Sequence, residues 1–324
     1  MRLNRILATA VGIAGLMLTG VAHADDWPSK PITLIVPFPP GGVADVFPRL
    51  VTGKVGERLG QPIIVENRPG GATIIATREV VGAAPDGYKL LTGVTQLAIN
   101  PPLRGELPYD EKKDLVPVIF LGDALGLVAV HKDHPAKTLQ DLIDMGKDTS
   151  KTVNIALPGV GSPYHVALEQ MNQVAGSKFV NISYRGSGAS IKDVIGGHVP
   201  VTVDGIVTSA PHVKAGTLRA LAILGPQRAP QLPDVPTTAE LGFPDIVLKT
   251  FIGIMAPAGT PQAVIDRLNK EANAVLSEPS IQAEAVRLGL RIGGGTPEEA
   301  AAQLEGSRVY YDRVIKAAGI KPPS

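Results

Sequence analysis

Short apolar runs alternate with longer stretches of helical periodicity along the chain. Residues 31–36 form an apolar run typical of a buried strand, and the Pro/Gly-rich residues 37–42 end it. Apolar side chains then recur every three to four residues over residues 44–59, before a second strand pattern at residues 63–66. This strand–helix–strand order predicts parallel strands joined by helical crossovers.

The same alternation continues to the carboxyl terminus. Further strands are predicted at residues 88–93, 116–121, 126–131, 152–156, 180–183, 201–203, 218–224 and 251–255. Further helices are predicted at residues 71–83, 139–147, 163–175, 188–196, 210–215, 261–277, 280–288 and 297–318. Ser162 is the predicted N-cap of the helix at residues 163–175. Thr260 is the predicted N-cap and Pro261 the first residue of the helix at residues 261–277. The pattern therefore predicts two successive α/β units.

We expect the two units to form two lobes joined by crossing segments near residues 121–126 and 248–251. The long amphipathic helices at the carboxyl end are predicted to pack back on the first unit. Lobe 1 then comprises residues 25–124 plus 250–324, and lobe 2 comprises residues 125–249. Ligands of α/β folds bind at domain interfaces and at the carboxyl ends of strands, so this arrangement predicts a hinged binding cleft.

The first 24 residues have the pattern of a secretory signal peptide. Arg2 and Arg5 precede an apolar stretch at residues 6–21, and Ala22-His23-Ala24 supplies small residues at a cleavage site. The stretch is shorter than the ~20 residues that a spanning helix needs, which favours cleavage over a membrane anchor. These features predict export to the periplasm.

Composition and motifs exclude several classes of function. The 31 Lys and Arg against 30 Asp and Glu give a formal net charge of +1, so we expect no nucleic-acid partner. The chain has no cysteine, no Gly-x-Ser-x-Gly elbow, no phosphate-binding loop and no His-Glu-x-x-His motif. His131 and His134 lie in a turn that a proline ends, which favours a structural role over a metal site. We therefore predict no catalytic residue, no metal and no cofactor.

Two Pro/Gly-rich loops, residues 37–42 and 157–162, each lead from a predicted strand into a predicted helix. Backbone N–H groups at such a helix start favour an anion. Either loop alone is typical of an ordinary β–α turn. The two together, facing one another across a cleft, predict a carboxylate clamp that needs no arginine.

From about Trp27 to Ile320 the sequence resembles the Bug-type periplasmic solute receptors of the tripartite tricarboxylate transporter system. The motifs that carry the resemblance follow in family order: Trp27-Pro28-Ser29-Lys30-Pro31-Ile32, Pro37-Phe38-Pro39-Pro40-Gly41-Gly42 with Asp45 and Arg49, Gly60-Gln61-Pro62, Glu66-Asn67-Arg68-Pro69-Gly70, Ala84-Pro85-Asp86-Gly87-Tyr88, Asn100-Pro101, Leu107-Pro108-Tyr109, Tyr184-Arg185-Gly186, Asp234-Val235-Pro236-Thr237 and Ala256-Pro257-Ala258-Gly259-Thr260-Pro261. The resemblance implies an α/β, two-lobe Venus-flytrap fold of the type II periplasmic-binding-protein class. Each lobe would be a mostly parallel sheet flanked by helices.

The resemblance also implies a small carboxylate ligand held by loop amides and ordered water. On the side of lobe 1 it implies Phe38, Pro39, Gly41, Gly42 and Asp45. On the side of lobe 2 it implies Pro158, Gly159, Gly161, Ser162 and His165, with Thr95, Gln96, Tyr184, Gly186 and Asp204 lining the remainder. Asp45 has a second interpretation as a helix-start charge, and Asp204 as a turn residue.

Three segments depart from the family pattern, at residues 43–44, 73–76 and 157–164, where hydroxyl and amide side chains give way to apolar ones. We therefore hypothesise a less polar ligand, an aromatic or branched carboxylate rather than citrate. The resemblance implies a receptor, expected to be a monomer, that delivers its ligand to the membrane subunits of a tripartite tricarboxylate transporter. Two alternatives stay open: a ligand-sensing partner of a signalling protein, and a secreted hydrolase or isomerase using His165 with Asp204 or Ser162.

Overall fold

Two β-sheets with helices packed on both form the structure, a computed structural model that describes residues 27–322. The predicted signal peptide at residues 1–24 lies outside the described residues. The strands are β1 Ile32–Val36, β2 Ile63–Asn67, β3 Lys89–Val94, β4 Leu115–Ala124, β5 Gly126–His131, β6 Asn154–Leu157, β7 Val180–Ser183, β8 Val201–Gly205, β9 Leu218–Ile223, β10 Ile252–Pro257 and β11 Leu290–Ile292. The helices are α1 Val43–Leu59, α2 Ile74–Val81, α3 Gln96–Arg104, α4 Leu139–Lys147, α5 Pro163–Ala175, α6 Ser187–Ile195, α7 Ile206–Lys214, α8 Gln262–Leu276, α9 Pro279–Arg287 and α10 Pro297–Ala318.

The first sheet has the strand order β11-β4-β10-β3-β1-β2, and the second has the order β7-β6-β8-β5-β9. We call each sheet with its helices a lobe, the first carrying α1–α3 and α8–α10 and the second carrying α4–α7. This architecture confirms the predicted α/β class with two sheets flanked by helices. The residue limits predicted for the two lobes stay a prediction.

Both sheets are mixed, which corrects the expectation of mostly parallel sheets. The neighbours β2, β1 and β3 run parallel, as do β7, β6 and β8. However, β10 runs antiparallel to both of its neighbours in the first sheet, and β5 does so in the second. Each of these strands starts where the chain arrives from the other lobe. It must therefore run away from the cleft, opposite to strands whose carboxyl ends face the cleft.

The chain crosses between the lobes at Leu125 and again before β10. The hydroxyl of Thr250 ties the two crossings together, since it accepts from the Ala124 amide at 2.6 Å and donates to the Ala124 carbonyl at 3.2 Å. Two neighbouring tyrosines of α10 donate to the second crossing, Tyr310 to the Val247 carbonyl at 3.0 Å and Tyr311 to the Lys249 carbonyl. The two crossing segments are therefore hydrogen-bonded to each other and to α10, and they lie where a hinge between the lobes is expected.

Helices α8, α9 and α10 pack on the first sheet, as the sequence predicts. Buried side chains of α8 and α9 share a core with β1 and β10, and those of α10 share a second core with α3. Val166 of α5 also belongs to that second core, so the two lobes touch beside the crossings. Within residues 27–322 no helix is both long enough and apolar enough to cross a bilayer.

Local patterns missed one helix and one strand. Helix α3 contains Pro101 and Pro102, which break intrahelical hydrogen bonds, yet it forms because Leu97, Ile99 and Leu103 are buried. Strand β11 has only three residues and depends on pairing with β4.

The predicted start of α8 is wrong by one position. Pro261 is the N-cap of this helix rather than its first residue, and no side chain caps the helix there. The hydroxyl of Thr260 instead donates to the Pro257 carbonyl at 2.8 Å, within the turn that precedes the helix. Thr260 therefore stabilises the turn and does not cap the helix.

Candidate functional site

A cavity of about 160 Å³ lies between the lobes, at the strand ends that lead into the cleft. The first lobe contributes Phe38, Ala72, Thr73, Gln96, Asn100, Leu103 and Arg104. The second lobe contributes Pro158, Gly159, Val160, Gly161 and Ser162. The lobes approach closely here, because a Cβ atom on Gly161 would lie 2.7 Å from Leu103 Cδ2.

A larger groove of about 640 Å³ lies on the outer surface between α3 and α10. Charged side chains such as Glu111, Arg308 and Asp312 line it, and several of them are already paired with one another. It is away from the strand ends where α/β folds bind ligands. The cavity between the lobes is therefore the candidate site.

The second-lobe loop is held in place by its own helix start. Ser162 is the N-cap of α5 and accepts from the His165 amide at 3.2 Å, while Pro163 occupies the first helical position. The Gly161 amide donates to His165 Nδ1 at 3.1 Å, so that nitrogen is the acceptor and Nε2 carries the proton. Within the described part of the chain the Gly159 and Val160 amides have no acceptor. Both residues line the cavity, so their amides are donors still available to a ligand there.

The first-lobe loop is organised around a buried carboxylate. Asp45 is only 3% exposed, and its oxygens accept from the Gly41 amide at 2.9 Å, Arg49 at 2.7 Å and Asn67 at 2.9 Å. Burial opposes ionisation of Asp45, but hydrogen bonds from Asn67, Gly41 and Arg49 outweigh it and hold the pKa of the carboxyl below its ordinary value. Asp45 therefore stabilises the conformation of the first-lobe loop and does not line the cavity.

Six of the fifteen predicted site residues line the cavity: Phe38, Gln96, Pro158, Gly159, Gly161 and Ser162. Pro39, Gly41 and Gly42 are exposed on the first loop and do not line it. Asp45 and His165 lie behind their loops, where each accepts from a glycine amide. Contact of any of these residues with a ligand stays a prediction.

Three further predicted residues support the walls of the cleft without lining the cavity. Thr95 Oγ1 accepts from the Phe251 amide at 3.0 Å, beside the second crossing. Gly186 is the N-cap of α6, and its amide donates to the Pro158 carbonyl at 3.1 Å. The Tyr184 hydroxyl donates to Asp193 at 2.6 Å, and burial together with this carboxylate raises the pKa of Tyr184 to about 12.

Asp204 is fully buried at the end of β8. Its carboxylate accepts from the hydroxyls of Ser187 at 2.6 Å and Ser190 at 3.0 Å, and from the Gly205 amide at 2.6 Å. Burial raises the pKa of Asp204, although these hydrogen bonds oppose the rise. Its described partners join α6 to the start of α7, and His165 is not among them. Of the two pairings that the hydrolase alternative offers, the described structure therefore lacks His165 with Asp204, whereas Ser162 contacts His165 through the His165 amide rather than the ring.

Sequence reasoning missed the turn before α2, which forms one wall of the cavity. Ala72 and Thr73 adopt left-handed backbone conformations, with φ of 51° and 78°, at a cost of roughly 1–2 kcal/mol each. Asn100 holds this turn by donating from Nδ2 to the Ala72 carbonyl at 2.8 Å. The helix predicted at residues 71–83 includes this turn, but α2 starts only at Ile74 because Ala72 and Thr73 are not in the right-handed helical conformation. The sequence signal for the wall is Gly70-Gly71 directly before it.

Comparison with known proteins identifies the family. The model of the tripartite tricarboxylate transporter family receptor, TctC, matches residues 47–301. This chain belongs to that family. Protein BugT of Bordetella pertussis is 33% identical over 324 residues, which cover 99% of each protein. The predicted membership of the Bug-type receptors is therefore confirmed.

Solved structures of similar proteins share the fold over about nine tenths of this chain. Rpa4515 of R. palustris, solved with adipate, superposes with a TM-score of 0.81 at 31% identity and covers 92% of this chain and 100% of that one. MatC of Rhodopseudomonas palustris, with bound malate, superposes with a TM-score of 0.77 at 28% identity, and the match covers 89% of this chain and 100% of that one. The periplasmic binding protein BugD superposes with a TM-score of 0.76 at 27% identity, and the match covers 91% of this chain and 99% of that one. These matches confirm the predicted two-lobe binding-protein fold.

Proposed function

We propose that this TctC-family protein is an extracytoplasmic receptor that binds a small carboxylate between its lobes and delivers it to the membrane subunits of a tripartite transporter. One observation carries the proposal. Gly159 and Val160, whose amides have no acceptor among the described residues, line the cavity just before helix α5, where backbone donors and the helix dipole favour an anion. The relatives solved with adipate and malate support the same ligand class.

Ligand binding would favour the closed state through contacts made on both lobes at once. The cavity walls come from different lobes, so a ligand in contact with both is lost when they separate. The crossings at Leu125 and residues 247–250 are the segments about which the lobes would rotate. The ligand then selects the closed state by its better contacts there.

The protein is proposed to act in the periplasm as a monomer, without a cofactor and without chemical turnover. The secretory pattern of residues 1–24 and the periplasmic relative BugD support the location. His165 and Asp204 do not line the cavity, and each accepts from a neighbouring group of its own lobe, which supports binding rather than catalysis.

The first test is a thermal-shift screen of the refolded, ligand-free mature protein against mono-, di-, tri- and aromatic carboxylates. A ligand at 100 times its Kd adds about 2.7 kcal/mol of stability, which raises the Tm by several degrees. We expect at least one such ligand, recovered chemically unchanged after incubation. No shift with any carboxylate, or conversion of the ligand, would contradict the proposal. Delivery predicts that deletion of the gene abolishes cellular uptake of that same ligand.

A further inference from the structure

Arg104 supplies the only charged side chain among the residues that line the cleft cavity. It lies at the end of α3 and is half-buried. Its Nε donates to Asn100 Oδ1 at 3.3 Å, and within the described residues its guanidinium has no carboxylate partner. Asn100 thus fixes the stem of the guanidinium while the two terminal nitrogens keep their donors for another acceptor.

Thr73 brings a second donor to the same wall. The residue is 2% exposed, lines the cavity, and its Oγ1 has no hydrogen-bond partner in the described structure. A buried hydroxyl without a partner is costly, and here it sits on a left-handed backbone that Asn100 holds through Ala72. The hydroxyl of Thr73 therefore stays unsatisfied unless something in the cavity accepts from it.

We propose, on the basis of the receptor function above, that Arg104 and Thr73 bind the ligand's carboxylate and restrict the receptor to monocarboxylates with a compact apolar body. One guanidinium with no acidic neighbour in the cavity balances one negative charge. The other lining residues are uncharged, so each further carboxylate of a di- or tricarboxylate would be partly desolvated with neutral donors but no counter-charge, which is unfavourable.

Cavity size and the remaining walls favour the same ligand class. A dry cavity of about 150 Å³ accommodates benzene, and the cleft cavity has about 160 Å³. Phe38, Leu103 and Val160 provide apolar surface on opposite sides of it. A benzoate-sized or branched short-chain acid fills this space, whereas citrate would bring three carboxylates and little apolar surface.

The proposal is tested by calorimetric titration of the ligand-free protein with benzoate, 3-methylbutanoate, adipate and citrate, and with benzamide as the neutral counterpart of benzoate. We expect both monocarboxylates to bind at least tenfold more tightly than adipate and citrate. Benzamide should bind at least tenfold more weakly than benzoate, because it lacks the charge that Arg104 recognises. This comparison needs no variant and so does not depend on a variant folding.

Variants then assign the roles. Arg104→Gln should weaken benzoate binding about ten- to a hundredfold, the range for a hydrogen bond to a charged group, and Arg104→Lys should recover part of it. Arg78→Gln, on the exposed side of α2, is the matched control and should bind as the wild type does. Thr73→Val should weaken binding about fivefold while raising the Tm of the ligand-free protein, because it removes the unpartnered hydroxyl. Thr73→Ser should change neither.

The outcomes separate this inference from the receptor function. If adipate or citrate binds more tightly than both monocarboxylates, or if Arg104→Gln and Arg78→Gln bind benzoate equally well, the monocarboxylate site is wrong and the receptor function stands. A Thr73→Val protein with a lower Tm and unchanged affinity would show a purely structural threonine. Absence of binding by every carboxylate would overturn both proposals together.

Discussion

In both cleft loops a glycine amide donates to a side chain of the following helix, but the accepting side chain differs. In the first lobe the Gly41 amide donates to Asp45, and in the second the Gly161 amide donates to His165, each four residues further along the chain. Both glycines have a positive φ, 100° and 71°. In each lobe a side chain on the first turn of the following helix thus fixes a left-handed glycine at the cleft.

The loops differ in what fixes them and in what they contribute. Asp45 is a charged anchor with Arg49 and Asn67 as partners, whereas the second loop relies on a ring nitrogen and on the Ser162 cap. All of residues 158–162 line the cavity, but Phe38 is the one member of the first loop that does. The site is therefore asymmetric, with backbone donors from the second lobe facing side chains of α3 and the turn before α2.

The largest expected effect comes from removing the charged anchor. Asp45→Ala should lower the free energy of unfolding by about 3 kcal/mol, because Gly41, Asn67 and Arg49 all lose an ionised acceptor. His165→Ala should cost about 1–2 kcal/mol, since a neutral hydrogen bond and a buried ring are lost. Chemical denaturation of both variants measures the difference.

Asp45→Asn is the control for the first loop, because it keeps the shape and one acceptor while removing the charge. Its loss of stability should lie between zero and that of Asp45→Ala. Equal losses for Asp45→Ala and His165→Ala would mean that the charge of Asp45 contributes nothing beyond an ordinary hydrogen bond.

Valine substitutions of the two glycines distinguish backbone strain from closure. Gly41→Val and Gly161→Val should each cost about 2 kcal/mol in stability, because L-residues disfavour their left-handed conformations. Only Gly161→Val should also weaken carboxylate binding, at least tenfold, since its Cβ would meet Leu103 while a Cβ on Gly41 meets nothing within 4 Å. Calorimetry with benzoate reads out the second effect. Equal affinities in the two variants would contradict close contact of the lobes at Gly161.

Substitutions at the N-caps of α5 and α1 should change the free energy of unfolding in opposite directions. Ser162→Ala removes the N-cap of α5 and should lower stability by about 1 kcal/mol. Gly42 is the N-cap of α1, has extended backbone angles and lacks a side-chain cap, so Gly42→Ser should raise stability by a few tenths of a kcal/mol. Thermal melts at neutral pH measure both changes. A destabilised Gly42→Ser protein would show that the first loop needs glycine for another reason.

The last comparison is the dependence on acid pH that Asp45 gives to the first loop. The folded-state pKa of Asp45 lies below its unfolded value, so its contribution is complete above that unfolded value, about 4, and is lost as the pH falls through the folded pKa. The stability difference between wild type and Asp45→Asn should therefore be constant above about pH 5 and shrink below about pH 4. Ser162→Ala, which alters no titratable group, should parallel the wild type. A difference that grows in acid would reverse the assigned direction.

Local sequence patterns predict most elements because the signals for them are local. The helix predicted at residues 297–318 has these bounds in the structure, where Thr296 and Glu299 form a capping box and Gly319 ends it. Helix α3 escaped prediction since Pro101 and Pro102 oppose it locally, and only burial against α10 compensates. The direction of β5 and β10 escaped too, because it depends on where the chain enters each lobe.

The sequence by itself determined the α/β elements, the two Pro/Gly loops and, through its motifs, the receptor family. The tertiary structure decided the composition of the cavity, because Thr73, Asn100 and Arg104 are separated from residues 158–162 by more than 50 positions in the sequence. The packing of the lobes brings these residues together. Hydrogen bonding determined that Asp45, His165 and Asp204 hold the cleft from behind. Local periodicity reports which face of an element is buried, but not which distant element it will face.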